Sequence, residues 1–336
     1  MGWSDVKARL QTQTRDALEL VLLPGLAAVL PWPLAFALFK RMARWPWLYR
    51  QSCERALQEA RKRIPIDDEA QWLAERRLVT LVDHADHYLA RARGDAWMRR
   101  YVDVQGQWQA EMDKSQGPAP GFLMTFHWGC GMWALRHARA SGLAPHAISA
   151  PPNLGPDAWR RVLRRYVLAR LRTVELALGR PVLYLPGVMQ GVLGAMGRRE
   201  QVLAVMDVPA DQAEATRAAR VLGRAVQVPA LLPRLAVRRK WAVTVYSLAL
   251  DVQTGRRLLR LHPLGVMDDE QALSDRIFAL FDELLRERPA AWHFWSEAPR
   301  FFQDAGREEV PPKALLDTLS NKEQKKGGQN GLDPFK

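Results

Sequence analysis

The fold of this chain turns on the stretch Gly121-Phe-Leu-Met-Thr-Phe-His-Trp-Gly-Cys-Gly-Met-Trp-Ala-Leu135. Phe122 to Phe126 is an apolar run of strand length in which only Thr125 is polar. It stops at a titratable side chain, His127, passes glycines at 129 and 131, and enters a helical pattern at Met132. An unbroken apolar run followed by glycines reads as a buried strand, a tight turn and a helix start. In open α/β sheets ligands sit beyond the carboxyl ends of the strands, so a histidine at that point is placed for chemistry. The same position also suits a histidine packed at a strand end, its ring satisfied by a backbone carbonyl.

Downstream, strand and helix patterns alternate. Strands are expected at 145–150, 181–185 and 202–206, and helices at 156–178, 188–198, 211–222 and 230–239. Residues 242–250 and 258–262 read as a hairpin across Thr254-Gly255, and 269–288 as a closing amphipathic helix. This order predicts an α/β fold, a mainly parallel sheet flanked by helices. Upstream, residues 49–116 read as helical with an interruption at Pro65, and 115–120 as a linker. Asp83-His84-Ala85-Asp86-His87 sets two histidines about a turn apart, but with no further ligand at metal spacing the reading is a solvated helix face and no metal.

Residues 20–39 carry no charge, which is long enough to cross a hydrocarbon core as one helix. Pro24, Pro31 and Pro33 interrupt the run, so a broken helix in the membrane interface and a buried core helix are the other readings. Lys40, Arg41 and Arg44 follow beside Trp45 and Trp47, the pattern of a cytoplasmic membrane boundary. The expected organisation is a membrane-anchoring segment 1–48, a helical region 49–116, an α/β domain 117–302 and a disordered tail 303–336.

With 336 residues and 48% hydrophobic content the chain is globular, and its net charge of +13 points to an acidic partner. No nucleic-acid-binding signature accompanies that charge, and nucleic acid is not expected. Two cysteines, Cys53 and Cys130, make no disulfide framework. Cys130, three residues after His127, reads either as a thiol nucleophile or as a small residue filling a tight turn. Residues 159–172 hold arginines at 160, 161, 164, 165, 170 and 172 and no acid, so they either bind an anion or cover apolar surface with their stems.

A strand ending in His127-Trp-Gly-x-x-x-Trp133 resembles the catalytic segment of the late lipid A acyltransferase family, bacterial membrane enzymes that move a fatty acyl chain from acyl carrier protein to a hydroxyl. The family's motif places an acid five positions after the histidine, where this chain has Met132. An aspartate at the next strand end, Asp207-Val-Pro, resembles another family segment, as do 222–229 and Arg288-Pro-Ala-Ala-Trp292. The resemblance implies a glycerolphosphate-acyltransferase-like fold with an N-terminal membrane-associated extension. His127 would be general base and Asp207 its carboxylate partner. Arg164, Arg170 and Arg172, with Trp128 and Gly129 of the motif, would bind substrate. It further implies acyl carrier protein and anionic membrane lipids as partners, the cytoplasmic face of a bacterial inner membrane as location, and no metal or nucleotide cofactor. Met132 motivates the alternative, a degenerate homologue that binds acyl chains or carrier protein without transfer.

Overall fold

A computed structural model describes residues 3–109, 118–152 and 155–303. The tail expected to be disordered, from residue 304 on, and positions 115–117 of the linker lie outside the described residues. Strands β1 (Val102–Gln105), β2 (Gly121–Thr125), β3 (Pro145–Ser149), β4 (Leu183–Tyr184) and β5 (Gln201–Val205) precede a hairpin of β6 (Thr216–Val221) and β7 (Arg224–Pro229). β8 (Ala242–Leu250) and β9 (Arg257–Gly265) follow. Seven of these form one sheet in the order β1-β9-β8-β2-β5-β3-β4. β8, β2, β5, β3 and β4 are mutually parallel, whereas β9 runs antiparallel to β8 and carries β1 parallel to itself. The sheet is therefore mainly parallel, with one reversed edge. β2 and β5 are its centre and are buried along nearly their whole length, which is why both read as unbroken apolar runs.

Helices cover both faces, as a parallel sheet requires. They are α1 (Trp3–Asp16), α2 (Leu23–Val29), α3 (Trp32–Met42), α4 (Arg50–Arg61), α5 (Glu69–Ala92) and α6 (Asp95–Tyr101), then α7 (Met132–Ala140) and α8 (Arg161–Leu178). α9 (Val188–Gly197), α10 (Leu231–Arg239), α11 (Glu270–Glu287) and α12 (Ala298–Phe301) complete the set. α11 begins where the Asp269 side chain accepts from the amide of Ala272, and α5 where Asp68 accepts from Gln71 at 2.8 Å.

Three expectations are corrected. The helix expected at 211–222 is replaced by the β6–β7 hairpin, because Leu222 and Gly223, at φ 51° and 72°, make a left-handed two-residue turn that suits a hairpin. Its buried residues, Val221, Val226 and Val228, alternate along the strands, while the arginines at 217, 220 and 224 mimic a helical stripe. Inside the region read as helical, β1 is an edge strand with only Val102 buried, too little pattern to betray it. The Asp83–His87 segment is not a solvated face: Asp86 and His87 are buried, and His84 packs edge-on between Tyr49 and Tyr166.

The uncharged run is divided. α1 continues through a π-helical turn, Ala17–Leu22, into α2, which ends at Leu30 ahead of Pro31, and α3 restarts with Pro33 in its first turn. Among the described residues no helix is long and apolar enough to cross a membrane. Part of the run is core: Ala27, Trp32, Ala35, Phe36 and Phe39 are buried, and the Trp32 indole donates to the carbonyl of Gly255 at 3.0 Å. Its other face is bare, with Leu22, Val29 and Leu34 58%, 75% and 62% exposed.

Candidate active site

Strand register brings the site together. β2 and β5 pair Thr125 with Val205, so two further residues along each chain place His127 opposite Asp207. Both lie just past the carboxyl ends of the two central strands, where a parallel sheet presents its ligands. His127 Nδ1 lies 3.0 Å from Asp207 Oδ1, and the His127 amide donates to both carboxylate oxygens at 3.0 Å. The indole of Trp292 donates to Oδ2 at 2.6 Å. Asp207 is wholly buried. Burial alone would raise its pKa, but the imidazole and these N–H donors outweigh burial and hold it below the ordinary carboxylate range. An ionised acceptor at that position fixes the proton of a neutral ring on Nδ1, leaving the Nε2 lone pair free to act as a base. Among the described residues no hydrogen bond engages Nε2, and the His127 side chain is 33% exposed.

The segment after α11 clamps this turn. The His293 amide donates to the His127 carbonyl at 2.7 Å, and the Gly129 amide donates to Ala291 at 3.0 Å. Burial pushes the pKa of His293 down to about 4, so its ring is neutral and Nε2–H donates to the Gly129 carbonyl at 2.7 Å. Phe294 lies flat on the imidazole, ring centroids 3.6 Å apart and planes inclined by 11°. Beneath the clamp the buried Arg76 guanidinium donates to the carbonyls of Trp292 at 2.8 Å, Ala290 at 3.2 Å and His293 at 3.3 Å. Arg76 carried no sequence signal, being one of three arginines on α5, and Phe294 was marked only by lying in the family-like segment that continues from Arg288 to Trp295, which gave it no role.

The other candidates are placed differently. Trp128 is buried, its indole donating to the Arg288 carbonyl at 3.2 Å, so it packs the turn. Gly129 adopts φ +71° where any Cβ would collide with the Leu248 carbonyl, so its part is to let the chain pass close to β8. Arg170 is engaged with both oxygens of Asp83 at 2.9 Å and with the Tyr166 hydroxyl at 3.1 Å. Burial opposes its charge, but Asp83 overrides burial and raises its pKa. Arg164 and Arg172 are exposed on α8 and make no hydrogen bond or ion pair with the His127–Asp207 dyad. Met132, where the acid was expected, is buried in the apolar core. The thiol-nucleophile reading of Cys130 is overturned: the side chain is wholly buried and burial pushes its pKa well up, so no thiolate forms. Among the described residues no group of three His, Cys, Asp or Glu side chains could hold a metal ion.

Beside Phe294 opens a cavity of about 320 Å³. Its wall includes Pro209 and Gln212 from the loop after β5, and Phe294, Ser296, Glu297 and Arg300 from the C-terminal clamp. No model of a known protein family matches this chain, and no curated protein matches its sequence.

Proposed function

We propose that the chain is a membrane-associated acyltransferase of the type it resembles, with a glycerolphosphate-acyltransferase-like fold, moving a fatty acyl group from acyl carrier protein to a hydroxyl of a lipid or lipid-like acceptor. The observation that carries this reading is the imidazole of His127, tied through Nδ1 to a buried ionised Asp207, with Nε2 unengaged at a partly open sheet edge. Nε2 takes the acceptor hydroxyl's proton as its oxygen attacks the thioester carbonyl. The C–S bond then breaks, and the departing thiolate takes the proton from the imidazolium. Asp207 stabilises that imidazolium, the task the resembling family gives to the acid at the position of Met132.

Support for the partners comes from surface charge and exposure. Arg161, Arg164, Arg165 and Arg172 are exposed on α8 with no acidic partner among the described residues, a surface suited to an acidic carrier protein. Leu22, Val29 and Leu34 are exposed on the uncharged run, and Trp45 and Trp47 are exposed beside Arg41 and Arg44 in the chain, as suits shallow insertion in an anionic leaflet at the cytoplasmic face of an inner membrane. The test is acyl transfer from acyl carrier protein: His127→Ala should lower it by about 10²–10⁴-fold, and unchanged turnover would remove His127 from the mechanism. A second reading, acyl-chain or carrier-protein binding without transfer, is favoured by Phe294 covering one face of the imidazole. It requires wild-type and His127→Ala proteins to bind acyl carrier protein equally while neither transfers.

A further inference from the structure

The cavity beside Phe294 differs in charge from the rest of the molecule. The chain as a whole carries +13, yet among the described residues the cavity wall holds one arginine, Arg300, whose donors are engaged, and one histidine, His293, whose ring burial keeps neutral. Arg300 Nη2 donates to Asp211 at 2.8 and 2.9 Å and Nε donates to the same carboxylate at 3.1 Å, while Nη1 donates to Glu297. With its amide turned so that the oxygen faces the guanidinium, Gln212 accepts from it as well. One guanidinium is thus held between two carboxylates, Asp211 and Glu297.

A phosphate entering this wall would meet the Glu297 carboxylate and find the arginine's donors occupied; to gain them it would have to leave Glu297, or Asp211 outside the wall, unpaired. A cation would meet Arg300. What the wall offers instead is the Gln212 amide, the Glu297 carboxylate and the Ser296 hydroxyl. These present both donors and acceptors, which matches groups that also do both, namely hydroxyls. Phe294 and Pro209 add apolar surface of the kind on which the C–H face of a sugar ring settles. The volume, about 320 Å³, is at the small end of ligand pockets and suits a single ring.

We infer that this cavity is the acceptor-head site, and that it takes an uncharged polyhydroxylated head group, a single sugar or comparable polyol, in preference to a phosphorylated one. The role of the ligand as acceptor rests on the acyl-transfer reading; its binding does not. Phe294 both lines the cavity and stacks on the His127 imidazole, so it is the side chain that joins the head site to the base.

The test is saturation-transfer NMR on the full chain with methyl β-D-glucopyranoside and glucose 6-phosphate as probes. The glucoside should bind at least about tenfold tighter than the phosphate. Phe294→Ala should weaken the glucoside, and Glu297→Gln with Asp211→Asn should close the gap by admitting the phosphate, circular dichroism showing each variant folded. Equal or tighter binding of the phosphate by the wild type overturns the inference, as does failure of both probes to bind. Transfer assays separate the two readings. Active transfer that prefers phosphorylated acceptors sinks the polyol site and leaves acyl transfer standing; glucoside binding with no transfer from any acyl thioester does the reverse.

Discussion

Asp207 receives two hydrogen bonds from the His127 amide and one from the Trp292 indole besides its contact with the imidazole, so its orientation is over-determined. That fixes the tautomer of the neutral ring: ¹⁵N spectra of neutral His127 should show its single proton on Nδ1, and a neutral ring protonated on Nε2 alone would contradict the geometry. The same geometry changes what Met132 means. Restoring the family's acid there with Met132→Glu puts a carboxylate in apolar core while Asp207 already holds Nδ1. The expected result is no gain in transfer and a loss of about 2–4 kcal/mol in urea unfolding. His127 and Asp207 were legible in the sequence because each ends an apolar strand with a polar residue. Phe294 was not, because nothing in a sequence shows which aromatic will fold back over a histidine more than 160 positions away.

The turn between β2 and α7 depends on Gly129 more than on any contact of its own side chains. A Cβ at that position meets the Leu248 carbonyl at a left-handed φ, so Gly129→Ala should cost about 1–3 kcal/mol in chemical denaturation. An alanine variant as stable as the wild type would show that the turn relaxes. The strand–helix alternation was readable because apolar runs and glycines marked each boundary. The β6–β7 hairpin was not, since Arg217, Arg220 and Arg224 repeat at helix-like intervals while the deciding signal was one left-handed pair, Leu222-Gly223. At the clamp, Arg76 satisfies three carbonyls of the segment that carries Trp292 and Phe294. Arg76→Met should cost about 3 kcal/mol or more by leaving those carbonyls unpaired, and should loosen the site before it unfolds the sheet. Hydrogen exchange at 289–295 faster than in the sheet is the measurement.

Across the whole molecule, an apolar N-terminal run and the central sheet share one core. The Arg257 guanidinium lies 4.1 Å from the Trp32 ring centroid on α3 and is paired with the buried Asp86 of α5. The length of the uncharged run suggested a crossing, but composition says nothing about where a chain will fold back, and Pro31 divides it. Burial also gives the fold a pH dependence. It lowers the pKa of His84 to about 3 and of His87 and His293 to about 4. These rings stay neutral when folded but take up protons when unfolded below about pH 6.5, so their contribution is complete above that pH and is lost as pH falls towards 4. Burial also lifts Asp86 to about 6, a smaller displacement than that of any of the three histidines, and raises Glu19 and Glu75; these carboxyls contribute in the opposite sense, losing stability as pH rises. The urea midpoint should therefore drop between pH 6.5 and 4, and less steeply in His87→Gln; a flat profile would contradict the buried neutral histidines. The central claim is that an imidazole held by Asp207 removes the acceptor's proton. Its most direct test is single-turnover transfer of a labelled acyl chain from acyl carrier protein by wild type and Asp207→Asn, both shown to be folded. A fall of about 10²-fold or more in the variant is expected, and transfer at the wild-type rate would contradict the account.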